Sequence, residues 1–268
     1  MNTPLVSVAM ATYNGEKFLK DQMDSLLAQT YRHFEVVISD DGSTDRTQEI
    51  IKGYQTRDAR VRFSVNLKPE GYIRNFERAL SLCRGEIIFL CDQDDVWHTD
   101  KIKRHMQVYQ EQKTLWAYNR VALIDESTQR IGLLENTIST YYSKRKLLQY
   151  TWGSCILGCA TSYRASLLKN IWPADPLAPA HDSWIQLAIY PAQSAYIPEI
   201  LQEYRQHRNN TTGLKNKVTE SEAISQNMKY LKNLVHNSHL SITKRFFFLL
   251  VVCLKNIRNG LKNLIAFS

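Results

Sequence analysis

With 268 residues, 44% of them hydrophobic and 22% charged, the chain is long and apolar enough to bury a substantial core, which excludes a disordered or fibrous protein. Its five cysteines are an odd number without paired metal spacing, so a disulfide framework is excluded and a reducing compartment is indicated. Almost all of the net charge of +8 sits at the end of the chain: after Glu222 there is no Asp or Glu, while Lys229, Lys232, Lys244, Arg245, Lys255, Arg258 and Lys262 are all basic. The body is therefore nearly neutral and is not expected to bind nucleic acid.

In chain order the first half alternates short strands and helices, the pattern of an α/β domain built on parallel strands. Leu5–Met10 reads as a strand, Thr12-Tyr13-Asn14-Gly15 as a turn, and Glu16–Ala28 as a helix with apolar residues at Phe18, Leu19, Met23, Leu26 and Leu27. Phe34–Ile38 is a second predicted strand, and Ser43 or Thr44 is expected to cap the helix that runs to about Tyr54. Val61–Val65 is a third strand, Asn75–Cys83 a helix, Glu86–Cys91 a buried strand, Asp100–Gln110 a helix and Leu115–Ile124 another strand. The second half is less regular. Leu147–Leu157 and Leu167–Trp172 read as helical or mixed, Pro173–Pro179 as a loop, Ser183–Ile189 as a helix and Tyr196–Leu201 as a short strand.

Three polar clusters stand directly behind three of these strands: Thr12 and Asn14, Asp40 and Asp41, and Asp92-Gln93-Asp94-Asp95. In open α/β sheets ligands bind outside the carboxyl ends of the strands, so parallel strands would gather all three clusters at one rim. The four-residue acidic run repels itself unless a cation lies between the carboxylates, and a divalent metal carrying phosphate oxygens is the usual neutraliser. Asp41 is placed to accept the imide N–H of a pyrimidine, while Asp40 and Asp45 read as turn and helix-start residues. Neither G-x-x-x-x-G-K-[ST] nor G-x-G-x-x-G occurs, which removes support from kinase-like NTPases and dinucleotide dehydrogenases. Phosphate is then left to metal and to side chains such as Arg74 or Arg205.

The ordered segments Val6–Gly15, Ser39–Asp45, Asp92–Trp97, His181–Trp184 and Tyr204–His207 resemble the family 2 glycosyltransferases over roughly residues 5–213. The last two segments are most similar to bacterial rhamnosyltransferase-like members that build surface polysaccharides. The resemblance implies a GT-A fold, with a nucleotide-sugar-binding half at residues 1–112 made of a Rossmann-like mixed sheet and an acceptor half at 113–213. It also implies a nucleotide-sugar donor, Mn²⁺ or Mg²⁺, and inversion at the anomeric carbon. By position, Tyr13, Asp41 and Thr12 correspond to base-binding residues, and Arg74 and Asn75 to a segment beside the nucleotide. Asp92 and Asp94 match the metal-linked D-x-D element, with Asp95 an alternative ligand to Asp94. His207 matches a residue near the metal or the diphosphate, and Asp182 matches the catalytic base. His181 stands where many relatives carry Glu. Gly158-Cys159-Ala160 is similar to a small-residue segment near the acceptor, and Trp97 and Trp184 are candidates to line sugar or core.

The favoured donor by this resemblance is dTDP-L-rhamnose, with a UDP-hexose or UDP-N-acetylhexosamine as the rival, since Asp41 serves either pyrimidine. Rivals outside the class are a sugar nucleotidyltransferase, which would want a glycine-rich basic signature absent from Thr12–Lys17, and a binding-only protein. The predicted acceptor is a surface-glycan or lipid-linked precursor at the cytoplasmic membrane face. Residues 214–268 form a separate tail, in which seven basic residues flank the nine apolar residues Phe246–Leu254. That pattern fits peripheral attachment to a membrane through residues 223–268 or a basic amphipathic helix docked on the body or a partner. Met1-Asn2-Thr3-Pro4 lacks the basic region of a signal peptide, and no run reaches the ~20 apolar residues of a bilayer span.

Overall fold

The computed structural model describes residues 3–111, 113–134, 156–169, 171–174, 178, 180–189, 192–208 and 210, together with Phe246 and Leu250 in the tail. Runs rich in Val, Ile and Phe form the strands β1 (Val6–Thr12), β2 (Phe34–Asp40), β3 (Val61–Val65) and β4 (Ile87–Cys91), the last of them apolar on both faces. They lie in the order β3-β2-β1-β4, all parallel, and every residue of β2 and β4 is buried. Parallel neighbours require crossovers, supplied by α1 (Leu19–Leu27), α2 (Thr47–Arg57) and α3 (Tyr72–Ser81). The register pairs Thr12 with Asp40 and Met10 with Cys91. The turns after β1, β2 and β4 consequently open on a single rim.

The sheet continues beyond β4. Strands β5 (Val96–Trp97), β6 (Trp116–Ile124), β7 (Arg130–Leu134), β8 (Thr161–Arg164) and β9 (Ser194–Arg205) follow in sequence, with α4 (Lys101–Val108) between β5 and β6. The spatial order runs β4-β8-β6-β9-β5, with β7 on the flank of β6. The result among the described residues is one mixed sheet, because β8 runs antiparallel to both β4 and β6. Three short elements accompany it: a 3₁₀ turn at Gly158–Ala160, and the helices α5 (Ala165–Leu168) and α6 (His181–Ile189).

Period-two alternation divides the interior into two layers. Ala9, Ile88, Leu90, Trp116 and Tyr118 face α3 and α6, packing with Phe76, Trp184 and Ile185. Val8, Met10, Ile38, Phe89 and Ala117 face the other way, against Leu19, Met23, Leu26 and Ile51, with Ile102 from α4. Burying each of the larger side chains contributes about 1.5–3 kcal/mol.

Several expectations are corrected here. Neither Ser43 nor Thr44 caps α2, which begins at Thr47 with no side-chain cap at Arg46. The Ser43 hydroxyl instead donates to Asp40 at 2.6 Å, and Asp45 accepts the Thr47 N–H at 2.9 Å. Leu167–Trp172 shortens to α5, which ends at Leu168, while Leu147–Leu157 lies outside the described residues except for Ile156 and Leu157. The short strand expected at Tyr196–Leu201 is the twelve-residue β9, paired in parallel with β6. Pro198 obscured its length: the register slips between Asn119 and Arg120, opposite a residue that has no N–H to extend the ladder. α6 starts at His181, two residues before the expected Ser183, so Asp182 lies inside its first turn.

Candidate active site

The first wall of the rim is the pair of loops after β1 and β2. Asp40 is fully buried and accepts from the Thr12 hydroxyl at 2.8 Å, as well as from the Ser43 hydroxyl and the Ser43 N–H. Asn14, at φ 47°, donates its N–H to the Ser43 hydroxyl and accepts from Thr44 N. These bonds lace the two turns together and leave Tyr13 projecting, 51% exposed. Asp41 is buried beside them. Its Oδ1 accepts from Asn66 Nδ2 at 2.8 Å and Glu70 N at 2.9 Å, and its Oδ2 from Gly71 N at 2.8 Å. Three bonds on a carboxylate with about four acceptor sites leave room for one more donor. Asn75 is likewise buried, donating to the Thr12 carbonyl at 3.1 Å, whereas Arg74 pairs with Glu77 at 2.6 Å on its own helix.

The acidic run forms the floor, and its four residues have different work. Gln93 makes a two-way amide bridge to the Tyr13 backbone, accepting from its N–H at 2.9 Å and donating to its carbonyl at 3.1 Å. Gly15 makes that approach feasible, since a Cβ there would fall 2.3 Å from Gln93 Oε1. Asp94 meets His207, 113 residues away, with 2.8 Å between Oδ2 and Nε2. Asp95 is fully buried, its oxygens taken by Gln202 Nε2 at 2.5 Å and Arg205 N at 3.1 Å. Asp95 nonetheless belongs, with Asp92 and Cys159, to a cluster of ligand atoms close enough to share a metal ion, so it stays an alternative to Asp94. Asp92 lies close to Asp95 and Cys159, the three ligand atoms all within 4.8 Å of one another. Loss of solvation, then the neighbouring Asp94 charge, push the Asp92 carboxyl up to about 7.

Asp182 reaches the same place from α6. Its Oδ2 accepts the Gly158 N–H at 3.1 Å and its Oδ1 the Ser183 N–H at 2.6 Å. The next residue, Cys159, belongs to the Asp92 group, so a two-residue turn ties Asp182 to the acidic run. The Asp182 charge is one of the causes that raise Asp92.

Arg205, expected to hold phosphate, does not face the rim. It is fully buried, donating to the Asp94 carbonyl at 2.8 Å and pairing with Asp21 at 2.9 Å, with its guanidinium over the Phe18 ring. Trp184 is core, with Nε1 donating to the Ile171 carbonyl at 2.8 Å, and Trp97 is buried too. Sequence reasoning missed Lys101 and Gln202. Lys101 is fully buried, donates to the Cys159 carbonyl at 2.6 Å and to Gln202 Oε1, and stacks over Trp97 at 3.8 Å. Gln202 passes that polarity on to Asp95. Burial draws Lys101 down to about 8. Gln202 alternates inward on a strand, which is a signal only once β9 is known to extend that far. Lys101→Met should lower unfolding free energy by about 3 kcal/mol in urea titrations, because it strands two buried carbonyl acceptors beside uncompensated carboxylates.

The described cluster that could hold a metal is Asp92, Asp95 and Cys159, with the Asp94–His207 pair beside it in the same acidic run, and its carboxylate oxygens are donors that a divalent cation such as Mn²⁺ or Mg²⁺ accepts. The Asp92 carboxyl is raised first by burial and then by the Asp94 charge, and a cation bound here would offset that second contribution.

A family model described as Glycosyl transferase family 2 matches residues 7–172. The Escherichia coli UDP-Glc:alpha-D-GlcNAc-diphosphoundecaprenol beta-1,3-glucosyltransferase WfgD is 26% identical over 189 residues, covering 70% of this chain and 71% of its own. The structure of S. aureus TarS 1–349 in complex with UDP-GlcNAc matches with a TM-score of 0.68 over 92% of this chain and 70% of that one, at 18% identity. The mannosyltransferase PcManGT from Pyrobaculum calidifontis, in complex with GDP-Man and Mn²⁺, gives a TM-score of 0.59 over 97% of this chain and 76% of its own, at 13% identity. At these identities the two structures speak for a shared fold.

Proposed function

The chain belongs to glycosyl transferase family 2 and has the GT-A fold, and from that premise we propose that it moves a sugar, with inversion, from a pyrimidine nucleotide-sugar to a hydroxyl of a surface-glycan or lipid-linked precursor. One observation carries this reading: the Gly158–Cys159 turn holds Asp182 at one end and packs against Asp92 at the other. A base and a site for the leaving diphosphate thereby share one rim.

Asp182 takes the proton of the acceptor hydroxyl on one face of the sugar while the nucleoside diphosphate departs from the other. Tyr13 and Asp41 hold the base, with Thr12 and Asn75 supporting the Tyr13 loop, and Arg74 would meet the diphosphate only by giving up its pair with Glu77. Asp92, Asp94 and His207 would hold Mn²⁺ or Mg²⁺, which when bound offsets charge on the leaving group. The free acceptor site on Asp41 Oδ2 takes the imide N–H of uracil or thymine. Asp41→Asn should weaken UDP binding roughly thirtyfold, the equivalent of about 2 kcal/mol for a charged hydrogen bond, in calorimetric titrations.

The donor is assigned as a UDP-hexose or UDP-N-acetylhexosamine, in line with the UDP-Glc in the name of WfgD and the UDP-GlcNAc held by TarS. The second reading is dTDP-L-rhamnose, favoured by His181-Asp182-Ser183-Trp184. Purified protein with Mn²⁺, diphospholipid-linked acceptors and a panel of UDP-, dTDP- and GDP-sugars tests both, with product anomers read by NMR. Inverted transfer from a UDP-sugar supports the first reading and transfer from dTDP-rhamnose the second. Neither transfer nor hydrolysis with any donor overturns the enzyme in favour of a binding module.

In this reading residues 1–213 are the catalytic domain and the basic segment 223–268 docks at the cytoplasmic membrane face. No helix among the described residues is long and apolar enough to cross a membrane. Phe246 and Leu250, the described tail residues, are helical, apolar and exposed, which supports docking through this segment. Truncation before Phe246 should release the protein from anionic liposomes in a pelleting assay; pelleting that persists removes the tail from this role.

A further inference from the structure

We propose that Gly158 and His181 are positioning residues that together aim the Asp182 carboxylate, acting as a steric clamp on the first turn of α6. This rests on the reading of Asp182 as the base.

The His181 ring lies flat on Phe76 of α3, with centroids 3.8 Å apart and planes 16° from parallel, and the edge of Tyr72 approaches at 6.2 Å. The Gly158 backbone comes up against its Nε2 edge. A Cβ at Gly158 would fall 2.9 Å from His181 Nε2 and 3.0 Å from Asp182 Cβ, closer than side chains tolerate. His181 is 7% exposed, and among the described residues neither ring nitrogen has a hydrogen-bond partner. Among those residues the imidazole is therefore located by shape and dispersion, as a spacer between α3 and the Gly158 turn.

That spacing sets the reach of Asp182. The Gly158 N–H meets Asp182 Oδ2 at 3.1 Å, and one helical turn later Gln186 accepts from Ile156 N at 3.1 Å and donates to Ile156 O at 2.6 Å. Asp182 and Gln186, four apart, thus lie along the same stretch of backbone. Gln186 fixes the helix axially, and the ring held between Phe76 and Gly158 fixes how far its first turn stands from the rim. α3 also carries Asn75, which holds the Thr12 carbonyl of the base-binding loop. The clamp therefore references Asp182 to the element that supports the nucleotide site. An added methyl at 158 pushes the carboxylate outward without touching the loops after β1 and β2.

The test uses the full chain and two readouts, kcat for transfer and the dissociation constant of UDP with Mn²⁺ by calorimetry. Gly158→Ala should lower kcat tenfold to a hundredfold, as a misplacement near 1 Å does, with UDP affinity unchanged. His181→Ala should also lower kcat, and His181→Phe, which restores ring thickness without nitrogens, should recover most of that loss. Adding His181→Ala to Gly158→Ala should raise kcat above that of Gly158→Ala alone. The clamp is overturned if Gly158→Ala turns over like the wild type, if it loses UDP affinity in step with kcat, or if His181→Phe is as impaired as His181→Ala while still binding UDP. Asp182→Asn in the same series separates the two ideas: full transfer by that variant defeats the base assignment. A dead Asp182→Asn beside unaffected Gly158 and His181 variants defeats only the clamp.

Discussion

Asp182→Asn is expected to reduce transfer by about 10³-fold, within the range a positioned general base supplies, while UDP binding stays at the wild-type level. The substitution is nearly isosteric, so the acceptor groove keeps its shape and the loss appears in kcat. It is not structurally silent, because Asp182 accepts two N–H groups, from Gly158 and Ser183. The amide of Asn satisfies only one of them, and the other is left without an acceptor at a cost of about 1–3 kcal/mol. Thermal denaturation of the variant is the control that separates this cost from the lost proton acceptor. If the variant transfers sugar at more than a tenth of the wild-type rate, the proton goes elsewhere and Asp182 is a structural residue of α6.

Asp94→Ala carries the second large effect. It should abolish Mn²⁺-dependent binding of UDP and lower transfer by at least about 10²-fold, since stabilising charge on a leaving group is among the largest single contributions to catalysis. The companion variant Asp95→Ala should behave differently. Asp95 is fully buried and engaged by Gln202 and the Arg205 N–H, so its removal strands donors under the floor of the site. It should lower stability by about 3 kcal/mol and leave Mn²⁺ dependence in the protein that remains folded. Mn²⁺ titrations followed by calorimetry, paired with urea denaturation, read both quantities. A reversal of the two phenotypes would move the direct ligand from Asp94 to Asp95.

Much of the architecture could be read from local pattern. The strand-helix alternation, the rim formed behind β1, β2 and β4, and a buried β4 all follow from periodicity and turn chemistry, which act within a few residues. Errors came where a partner from far away decided the outcome. β9 ran twelve residues because β6 was there to pair with it, whereas the Ser43 hydroxyl turned to Asp40, only three residues before it, instead of capping α2. A cationic side chain in a polar motif looked like a phosphate ligand in Arg205. Asp21, 184 residues earlier, and the Asp94 carbonyl turned it into a buried strut.

From its own residue order this chain determined which side chains are acidic, which turns follow which strands, and that those turns share a rim, because parallel pairing is dictated by apolar runs and crossover helices. Only the tertiary structure decided how each carboxylate is used. Asp94 meets His207 while its neighbour Asp95 turns inward to Gln202, and Asp182 is held by the N–H of a glycine 24 residues before it. Hydrogen bonding and charge reach only a few ångströms, so the role of a titratable group belongs to whatever the fold sets beside it.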